Sequence, residues 1–326
     1  MREIERLSIA PQPPVLLLYG GRRSGKTSLL KYLPKQLPSD IIPLAIDLQG
    51  SASSTTLYGV ARFLAEETIR VAQRSRNLKL PAIELDDFER DPFPALQRWM
   101  DSAEQSVKGK RFLWCLDEYE RLSEVVAVTN SRAPLNFLRH IIQHRQQWIL
   151  LFSGFRTIEE LEPYWSDYLI NTQSMRVSYL HPTEARELIT NPIPNFPDIY
   201  SPEAIDRILF LTHCQPYLVQ LICLCVVTRL NIEKRRLAIV DDIDAVIPKA
   251  FEVGTQYFRE FWLESLSEQE RNLLTQLLQN VKPSPSDRPI LKKLCDREIL
   301  FDNEPENYPF QVPLIGLYIK NAIGDS

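Results

Sequence analysis

The sequence predicts an α/β fold in its first half, a largely parallel sheet with helices on both faces. Short apolar segments alternate there with segments that repeat apolar residues at helical spacing. A glycine-rich turn separates the first apolar segment from the first helical one. After residue 180 the strand signals nearly vanish and helix starts take over, which predicts an all-α region in the second half.

Strands in the first half are expected at residues 15–19, 42–47, 111–117, 148–152 and 175–180. The helices between them are expected at residues 26–33, 56–74, 93–107 and 134–146. Pro34 is expected to end the first helix, because proline lacks the N–H that continues a helix. The charged segment 77–91 shows no regular pattern, so we expect it to be a surface excursion.

The second half opens with two helix starts. Pro182 and Pro202 each stand in a first helical turn beside an acidic residue, where the missing N–H costs nothing and the helix dipole favours negative charge. Further helices are expected at residues 208–212, 217–230 and 241–262. The longest apolar run, 217–227, is about half the length that spans a bilayer. It therefore predicts a buried helix and no membrane partner.

A third part begins at Ser267, which with Glu270 forms an S-x-x-E capping box ahead of an apolar helical stripe. A proline-rich turn, a second helix at residues 290–297 and a strand pair near 299–301 and 308–312 follow. Helix, helix and two-stranded wing is the order of a winged helix-turn-helix. The expected domains are therefore residues 1–180, 181–262 and 263–326.

Composition narrows the classes of partner and compartment. The chain has 326 residues and a formal net charge of −4, so no global basic field points to nucleic acid or an anionic membrane. The N-terminus lacks the features of a secretory signal, which predicts a cytoplasmic protein. The five cysteines are odd in number and form no CxxC pair, which favours reduced core cysteines over disulfides or a zinc site.

The glycine-rich turn is a complete G-x-x-x-x-G-K-T phosphate loop, a Walker A motif, between a strand and a helix. Its glycines allow successive backbone N–H groups to face phosphate oxygens. Lys26 would bind the β- and γ-phosphates, and the Thr27 hydroxyl would ligate Mg²⁺. We expect ATP or ADP, or less favourably GTP, to contact Gly20, Gly21, Arg22, Arg23, Ser24, Gly25, Lys26, Thr27 and Ser28.

Polar residues end two later strands at the edge where parallel sheets bind ligands. Asp117 is predicted to hold Mg²⁺, and Glu118 is predicted to polarise the attacking water, as in a Walker B motif. Ser153 and Arg156 follow the next strand and could sense the γ-phosphate. An alternative stays open for Arg156, which could instead cap a loop or pair with Glu159 or Glu160.

The motifs resemble those of the AAA+-related P-loop ATPases, and within them the STAND group of signal-transduction ATPases in its bacterial and archaeal forms. GGRRSGKTSLL is similar to their Walker A, FLWCLDEYERL to their Walker B and ILLFSGFR to their sensor 1 strand. The resemblance covers nearly the whole chain. It implies a P-loop sheet whose sensor 1 strand lies between the Walker A and Walker B strands, a catalytic Glu118, a helical lid and a winged helix.

The lid segment LTHCQPYLVQ is similar to the family's TGGxPYLLQ, which implies that Pro216 packs near the adenine. His213 and Cys214 stand where the family usually has glycines, so contact between lid and nucleotide is expected to differ here. The N-terminal REIERL resembles the end of an element whose opening residues help to hold the adenine. We therefore expect the chain to be a piece of a longer protein or an unusually short version of one.

Three functions remain open at this stage. The first is a slowly hydrolysing ATP switch of the STAND type, in which nucleotide drives domain closure or association with a protein partner. The second is a DNA-binding AAA+ ATPase that uses its winged helix, although residues 263–326 carry seven Lys and Arg against ten Asp and Glu. The third is a structural fold without turnover. An arginine supplied by a neighbouring copy could be Arg132, Arg139 or Arg145.

Overall fold

The computed structural model describes residues 2–10, 13–50, 55–107, 109–169, 172–301 and 308–324. The chain divides into two compact units, Met1–Val177 and Ser178–Ser326. The strands are β1 (Val15–Tyr19), β2 (Ile41–Asp47), β3 (Arg111–Asp117), β4 (Trp148–Gly154) and β5 (Thr172–Arg176). The helices of the first unit are α1 (Arg2–Ser8), α2 (Lys26–Gln36), α3 (Leu57–Arg76), α4 (Leu85–Arg90), α5 (Pro92–Ser106), α6 (Arg121–Thr129), α7 (Ala133–His144) and α8 (Trp165–Tyr168).

The five strands form one parallel sheet in the order β2-β3-β4-β1-β5. The predicted α/β fold is confirmed, and β4 lies between β1 and β3 as the resemblance implied. Alternate residues of each strand face opposite ways. One set packs with α1 and α2 through Ile4, Leu30 and Leu33, and the other packs with α3, α5 and α7 in a larger core. Burial on both faces explains why β1 to β4 are almost wholly apolar, whereas the edge strand β5 is mostly polar.

Three local predictions in this unit differ from the structure. Pro34 does not end α2, which continues to Gln36. Proline removes only one hydrogen bond in the last turn, and the Arg76 guanidinium satisfies the carbonyls there by donating to those of Pro34 and Leu37, each at 2.8 Å. The last strand ends at Arg176 rather than residue 180, because only 172–176 align with β1 as a half-exposed edge.

The segment 77–91 is not a plain surface excursion. It contains α4, whose Phe88 is 1% exposed, and Leu80 is buried as well. Trp99 on α5 donates its indole N–H to the carbonyl of Pro81 at 3.0 Å. These are contacts between elements, so no periodic pattern within the segment could have indicated them.

The second unit is helical. Its helices are α9 (Pro182–Thr190), α10 (Pro202–Thr212), α11 (Pro216–Glu233), α12 (Val240–Ala245), α13 (Ile247–Val253), α14 (Thr255–Leu263), α15 (Glu268–Leu278), α16 (Arg288–Asp296) and α17 (Pro313–Gly324). Among the described residues, α11 is long and apolar enough to cross a membrane by length and composition alone, with 39% of its 18 residues buried. Its apolar residues Leu218, Val219 and Ile222 lie in the main core of this unit.

The C-terminal part of the second unit has a core of its own, formed by α15, α16 and residues around Leu300. The predicted capping box is present, since Ser267 and Glu270 exchange hydrogen bonds at the start of α15. Leu300 and Phe310 form an antiparallel bridge. The predicted acidic wing, residues 302–306, lies outside the described part of the chain. The three-domain division and the winged helix stay predictions.

Glu270 is 2% exposed and fastens α15 to α16. Its carboxylate accepts from the Ser267 N–H at 2.6 Å and lies 3.1 Å from Lys293 and 3.3 Å from Arg297. Burial raises the pKa of Glu270, but the Ser267 hydrogen bonds and the two cations outweigh it, so the pKa lies below its ordinary value.

Replacing Glu270 by glutamine is expected to destabilise the protein at neutral pH by about 1–3 kcal/mol, because charge-assisted hydrogen bonds are lost in a buried position. A depressed pKa stabilises the fold above the unfolded value of about 4.3, and this contribution disappears as the pH falls through the lower folded value. Urea unfolding of parent and variant should therefore converge at acid pH. Glu268→Gln, an exposed acid in the same helical turn, is the control. Equal stabilities at pH 7 would contradict the assignment.

Candidate functional site

The phosphate loop lies at the carboxyl end of β1 and runs directly into α2. Gly25 immediately precedes the helix with φ of 100°, a conformation that favours glycine. A side chain at Gly20 would overlap the carbonyl oxygen of Val177, so only glycine permits the chain to pass there. Gly21, in contrast, has open space around it. The two glycines that the motif fixes are therefore the two that the backbone requires.

Lys26 is 6% exposed and folds back over the loop. Its ammonium donates to the carbonyls of Gly20 and Gly21, each at 2.9 Å. Burial lowers the pKa of Lys26, and the nearby carboxylates of Glu118 and Asp117 oppose that shift. The loop thus holds a cation among inward-facing backbone groups, in the place where a phosphate chain would need one.

Thr27 and Asp117 meet although they are far apart in the sequence. The Thr27 hydroxyl donates to Oδ2 of Asp117 at 2.6 Å, and Asp117 is 3% exposed at the end of β3. A hydroxyl and a carboxylate are oxygen donors that suit Mg²⁺. Buried oxygens without a hydrogen-bond partner in the described part of the chain lie close by, namely Oγ of Ser24 in the loop and Oγ of Ser153, whose residue pairs with Asp117 across β3 and β4. The donor set fits a hydrated Mg²⁺ bound with phosphates.

Glu118 follows Asp117 with φ of 55°, in the left-handed region that side chains other than glycine rarely adopt. Such conformations concentrate at functional sites, where the surrounding structure maintains them. Burial raises the pKa of Glu118, the carboxylates of Glu120 and Asp117 raise it further, and Lys26 opposes them. A carboxylate with a raised pKa is a stronger base, which suits the predicted role of polarising water.

Ser153 and Arg156 lie at the end of β4 beside this site. Ser153 is fully buried, whereas Arg156 is exposed. The Arg156 guanidinium lies over the ring of Phe155 with its carbon 5.0 Å from the ring centre, and that of Arg22 from the phosphate loop lies over the same ring at 5.7 Å. Glu160 caps the N–H of Thr157 at the next turn. The structure therefore gathers Arg22, Ser153 and Arg156 near the loop.

Sequence reasoning missed two residues of this site, Glu120 and Gly154. Oε1 of Glu120 accepts from the backbone N–H groups of Phe155 and Arg156 at 2.7 and 2.9 Å. A side chain on Gly154 would overlap this carboxylate. The available signal was a third acid after β3 and a glycine at the end of the next strand. It becomes informative only when the order of the strands is known.

Pro216 and the departures from the family pattern belong to the second unit. Pro216 is the first residue of α11, and the Gln215 side chain caps that helix by accepting from the Leu218 N–H at 2.7 Å. His213 and Cys214 both have positive φ, 45° and 59°. The chain thus keeps at both positions a conformation that glycine would favour. The predicted contact of Pro216 with adenine stays a prediction.

The three arginines that a neighbouring copy could supply to the site differ in their surroundings. Arg145 forms ion pairs with Asp101 at 2.8 Å and Glu104 at 2.7 Å, and its side chain is 10% exposed. These pairs tie α7 to α5, so Arg145 stabilises its own unit. Arg132 lies over the ring of Tyr164 at 5.0 Å and is exposed. Arg139 is half-buried on α7.

A matched pair of substitutions tests the geometry of the loop. Gly20→Ala is expected to destabilise the unliganded protein by about 1–3 kcal/mol, since the new methyl group meets a backbone carbonyl that can yield only if β5 shifts. Gly21→Ala should change the free energy of unfolding much less, because the space is open. Urea denaturation of both variants measures the difference. Equal effects would show that Val177 does not confine Gly20.

No protein-family model and no curated protein matches the chain. Solved structures do share its fold. The Walker-type ATPase PABY2304 of Pyrococcus abyssi aligns with a TM-score of 0.67 at 16% identity, over 98% of this chain and 94% of that one. The Aeropyrum pernix ORC2 protein in its ADPNP-ADP complexes aligns with a TM-score of 0.57 at 12% identity, over 98% and 92%.

The Aeropyrum pernix ORC1 protein, solved in complex with DNA, aligns with a TM-score of 0.52 at 14% identity, over 100% of this chain and 91% of that one. At such identities a likeness shows the fold alone. The chain therefore has the P-loop NTPase fold of these ATPases, a parallel sheet with helices on both faces followed by a helical C-terminal region.

Proposed function

We propose that this protein binds ATP with Mg²⁺ and hydrolyses it slowly. The observation that carries the proposal is the meeting of three groups at one edge of the sheet. These are the Lys26 ammonium held over the phosphate loop, the Thr27 and Asp117 oxygens 2.6 Å apart, and Glu118 in a left-handed conformation beside them. A structural sheet edge has no need of a buried cation, a metal-type donor pair and a strained acid together.

Each group has a distinct role in the proposed reaction. Lys26 would leave the loop carbonyls and bind the β- and γ-phosphates, where its charge offsets that of the transferring group. Glu118 would accept a hydrogen bond from the attacking water and orient it toward the γ-phosphorus. Arg156, released from Phe155, would reach the γ-phosphate. Thr27 and Asp117 would hold Mg²⁺, which when bound neutralises charge on the phosphate oxygens.

The proposed biological role is a switch of the STAND type, in which the nucleotide controls domain closure or self-association. The sequence resemblance and the helical unit that follows the sheet support it. A switch needs the ATP and ADP forms to differ in free energy of interaction between parts of the protein. Slow hydrolysis would then set the lifetime of the ATP form.

Calorimetric titration and phosphate release test this proposal. The protein is expected to bind Mg-ATP more tightly than Mg-GTP, to release phosphate slowly, and to change its mass in solution when Mg-ATP replaces Mg-ADP. Binding without Mg²⁺ should be weaker. A chain that shows no heat of binding with Mg-ATP or Mg-ADP would refute the nucleotide assignment, and binding without any phosphate release would leave only the structural alternative.

DNA binding is a second candidate, because the ORC1 protein of the same fold was solved in complex with DNA. Arg288 and Lys292 on α16 are exposed and would serve as phosphate contacts. Two other cations of that helix, Lys293 and Arg297, are engaged with Glu270. The basic surface is therefore smaller than the sequence of the helix indicates.

A gel-shift titration at several salt concentrations separates this candidate from the first. A groove-binding protein should lose affinity steeply as salt rises, and the double change of Arg288 and Lys292 to alanine should lower the affinity and the salt slope. Lys249→Ala, an exposed cation on α13, is the matched control. A shift that neither salt nor the double change affects would exclude this surface.

A further inference from the structure

The turn after β3 and the turn after β4 are joined by hydrogen bonds that the proposed reaction does not itself use. Glu120 accepts from the Phe155 and Arg156 N–H groups through one oxygen. Tyr119 donates its backbone N–H to the Ser153 carbonyl at 3.2 Å and its hydroxyl to the Arg156 carbonyl at 3.2 Å. Four hydrogen bonds from two adjacent residues of one turn thus hold Ser153, Phe155 and Arg156 of the other.

The junction depends on shape as well as on hydrogen bonds. Gly154 has no side chain, and any methyl group there would occupy the space of the Glu120 carboxylate. Tyr119 is fully buried and packs against Phe152 and Trp165, with ring centres 5.6 and 5.5 Å apart. The turn after β4, residues 153–156, is called the sensor turn below. A glycine at position 154 is therefore needed for the Glu120 carboxylate to lie where it bonds this turn.

The Glu120 carboxylate is more buried than a side chain that caps a turn at the protein surface. Oε2 of Glu120 is buried and has no hydrogen-bond partner among the described residues. Burial raises the pKa of Glu120, while the two N–H donors and the Lys26 ammonium oppose the shift. Charge-assisted hydrogen bonds are stronger than neutral ones, especially where water is excluded. The group consequently holds the sensor turn firmly and lies within the electrostatic reach of the phosphate-binding lysine.

We propose that Glu120 is a positioning residue that fixes the turn carrying Ser153 and Arg156, and so determines how well the site distinguishes ATP from ADP. The inference rests on the proposed nucleotide function. Arg156 would contact only the γ-phosphate. A displaced turn should therefore weaken the binding of ATP and leave the binding of ADP unchanged. A displacement of about 1 Å in a group that positions the reacting atoms can lower the reaction rate on the order of a hundredfold.

Two substitutions at Glu120 distinguish the effect of side-chain length from the effect of charge. Glu120→Gln keeps the length of the side chain and an oxygen that can accept both N–H groups, but it removes the charge. Glu120→Asp keeps the charge and shortens the side chain by one methylene, so the carboxylate no longer reaches the turn. Gly154→Ala leaves Glu120 intact and displaces its carboxylate. Glu124→Ala, an exposed acid on α6 that pairs with Arg121, is the control.

The measurement is calorimetric affinity for a non-hydrolysable Mg-ATP analogue and for Mg-ADP, with the unliganded melting temperature of every variant. We expect Glu120→Asp and Gly154→Ala to weaken analogue binding about 10- to 100-fold, as for loss of one hydrogen bond to a charged group, and Mg-ADP binding by less than about threefold. Glu124→Ala should retain the parent's preference, and Glu120→Gln, which keeps the length of the side chain but loses the charge-assisted hydrogen bonds, should lie between the parent and Glu120→Asp. Because hydrolysis is slow, the KM for ATP of Glu120→Asp and Gly154→Ala should rise with the analogue's Kd, and their kcat for phosphate release should fall as well.

Other outcomes overturn the inference in distinguishable ways. Loss in Glu120→Gln with retention in Glu120→Asp would mean that the charge matters and the position does not. Parallel loss of analogue and Mg-ADP binding, or no change in any variant, would assign Glu120 a structural role only. A parent protein that binds neither nucleotide would instead refute the proposed function, and this inference with it.

Discussion

Replacing Lys26 with alanine is expected to remove most of the stabilisation that Mg-ATP gives the protein. Among the residues that the structure describes, the buried ammonium donates hydrogen bonds to the carbonyls of Gly20 and Gly21, and a phosphate could take the place of these carbonyls. A hydrogen bond to a charged group contributes about 1.5–3 kcal/mol, which corresponds to roughly a 10- to 100-fold change in affinity.

Thermal unfolding measures this loss directly. With Mg-ATP at 100 times the parent's Kd, ligand stabilises the parent by about 2.7 kcal/mol and a variant of 100-fold lower affinity by about 0.4 kcal/mol. Lys31→Ala removes an exposed cation from the same helix and should behave like the parent. An unchanged melting shift in Lys26→Ala would eliminate the phosphate loop as the nucleotide site.

Replacing Glu118 with glutamine is expected to lower the rate of phosphate release about 10²- to 10⁴-fold while nucleotide binding is retained. Glutamine occupies nearly the same space but cannot act as a base. Because burial and two neighbouring carboxylates raise the pKa of Glu118, its ionised form costs free energy in the unliganded fold at neutral pH. The variant should therefore be at least as stable as the parent.

Single-turnover phosphate release across a pH series tests the predicted loss of rate, and urea unfolding tests the predicted stability. The parent's rate should fall as the pH drops through the raised pKa of Glu118, since the protonated acid cannot accept from water, and the variant should lack that acid limb. Glu124→Gln, on the exposed face of α6, is the control. Equal turnover in parent and Glu118→Gln would show that another residue orients the water.

The phosphate loop and the strands around it were predictable from the sequence. Residues Gly20 to Thr27 are contiguous, and their conformations follow from glycine's freedom and from the strand and helix that flank them. The metal-type acid was also predictable, because a carboxylate at the end of an apolar strand must lie at the ligand-binding edge of a parallel sheet. The position of β4 between β1 and β3 came from resemblance, since local pattern carries no strand order.

Which residues meet across that edge depends on how the strands pair. Glu120 and Phe155 are 35 positions apart and become neighbours because β3 pairs with β4. Pro34 stays inside α2 because Arg76, on another helix, satisfies its last carbonyls. Side chains that act on distant backbone leave no periodic trace in the sequence. The phosphate loop was therefore recognisable from eight residues, whereas the junction that we propose positions Arg156 required the folded sheet.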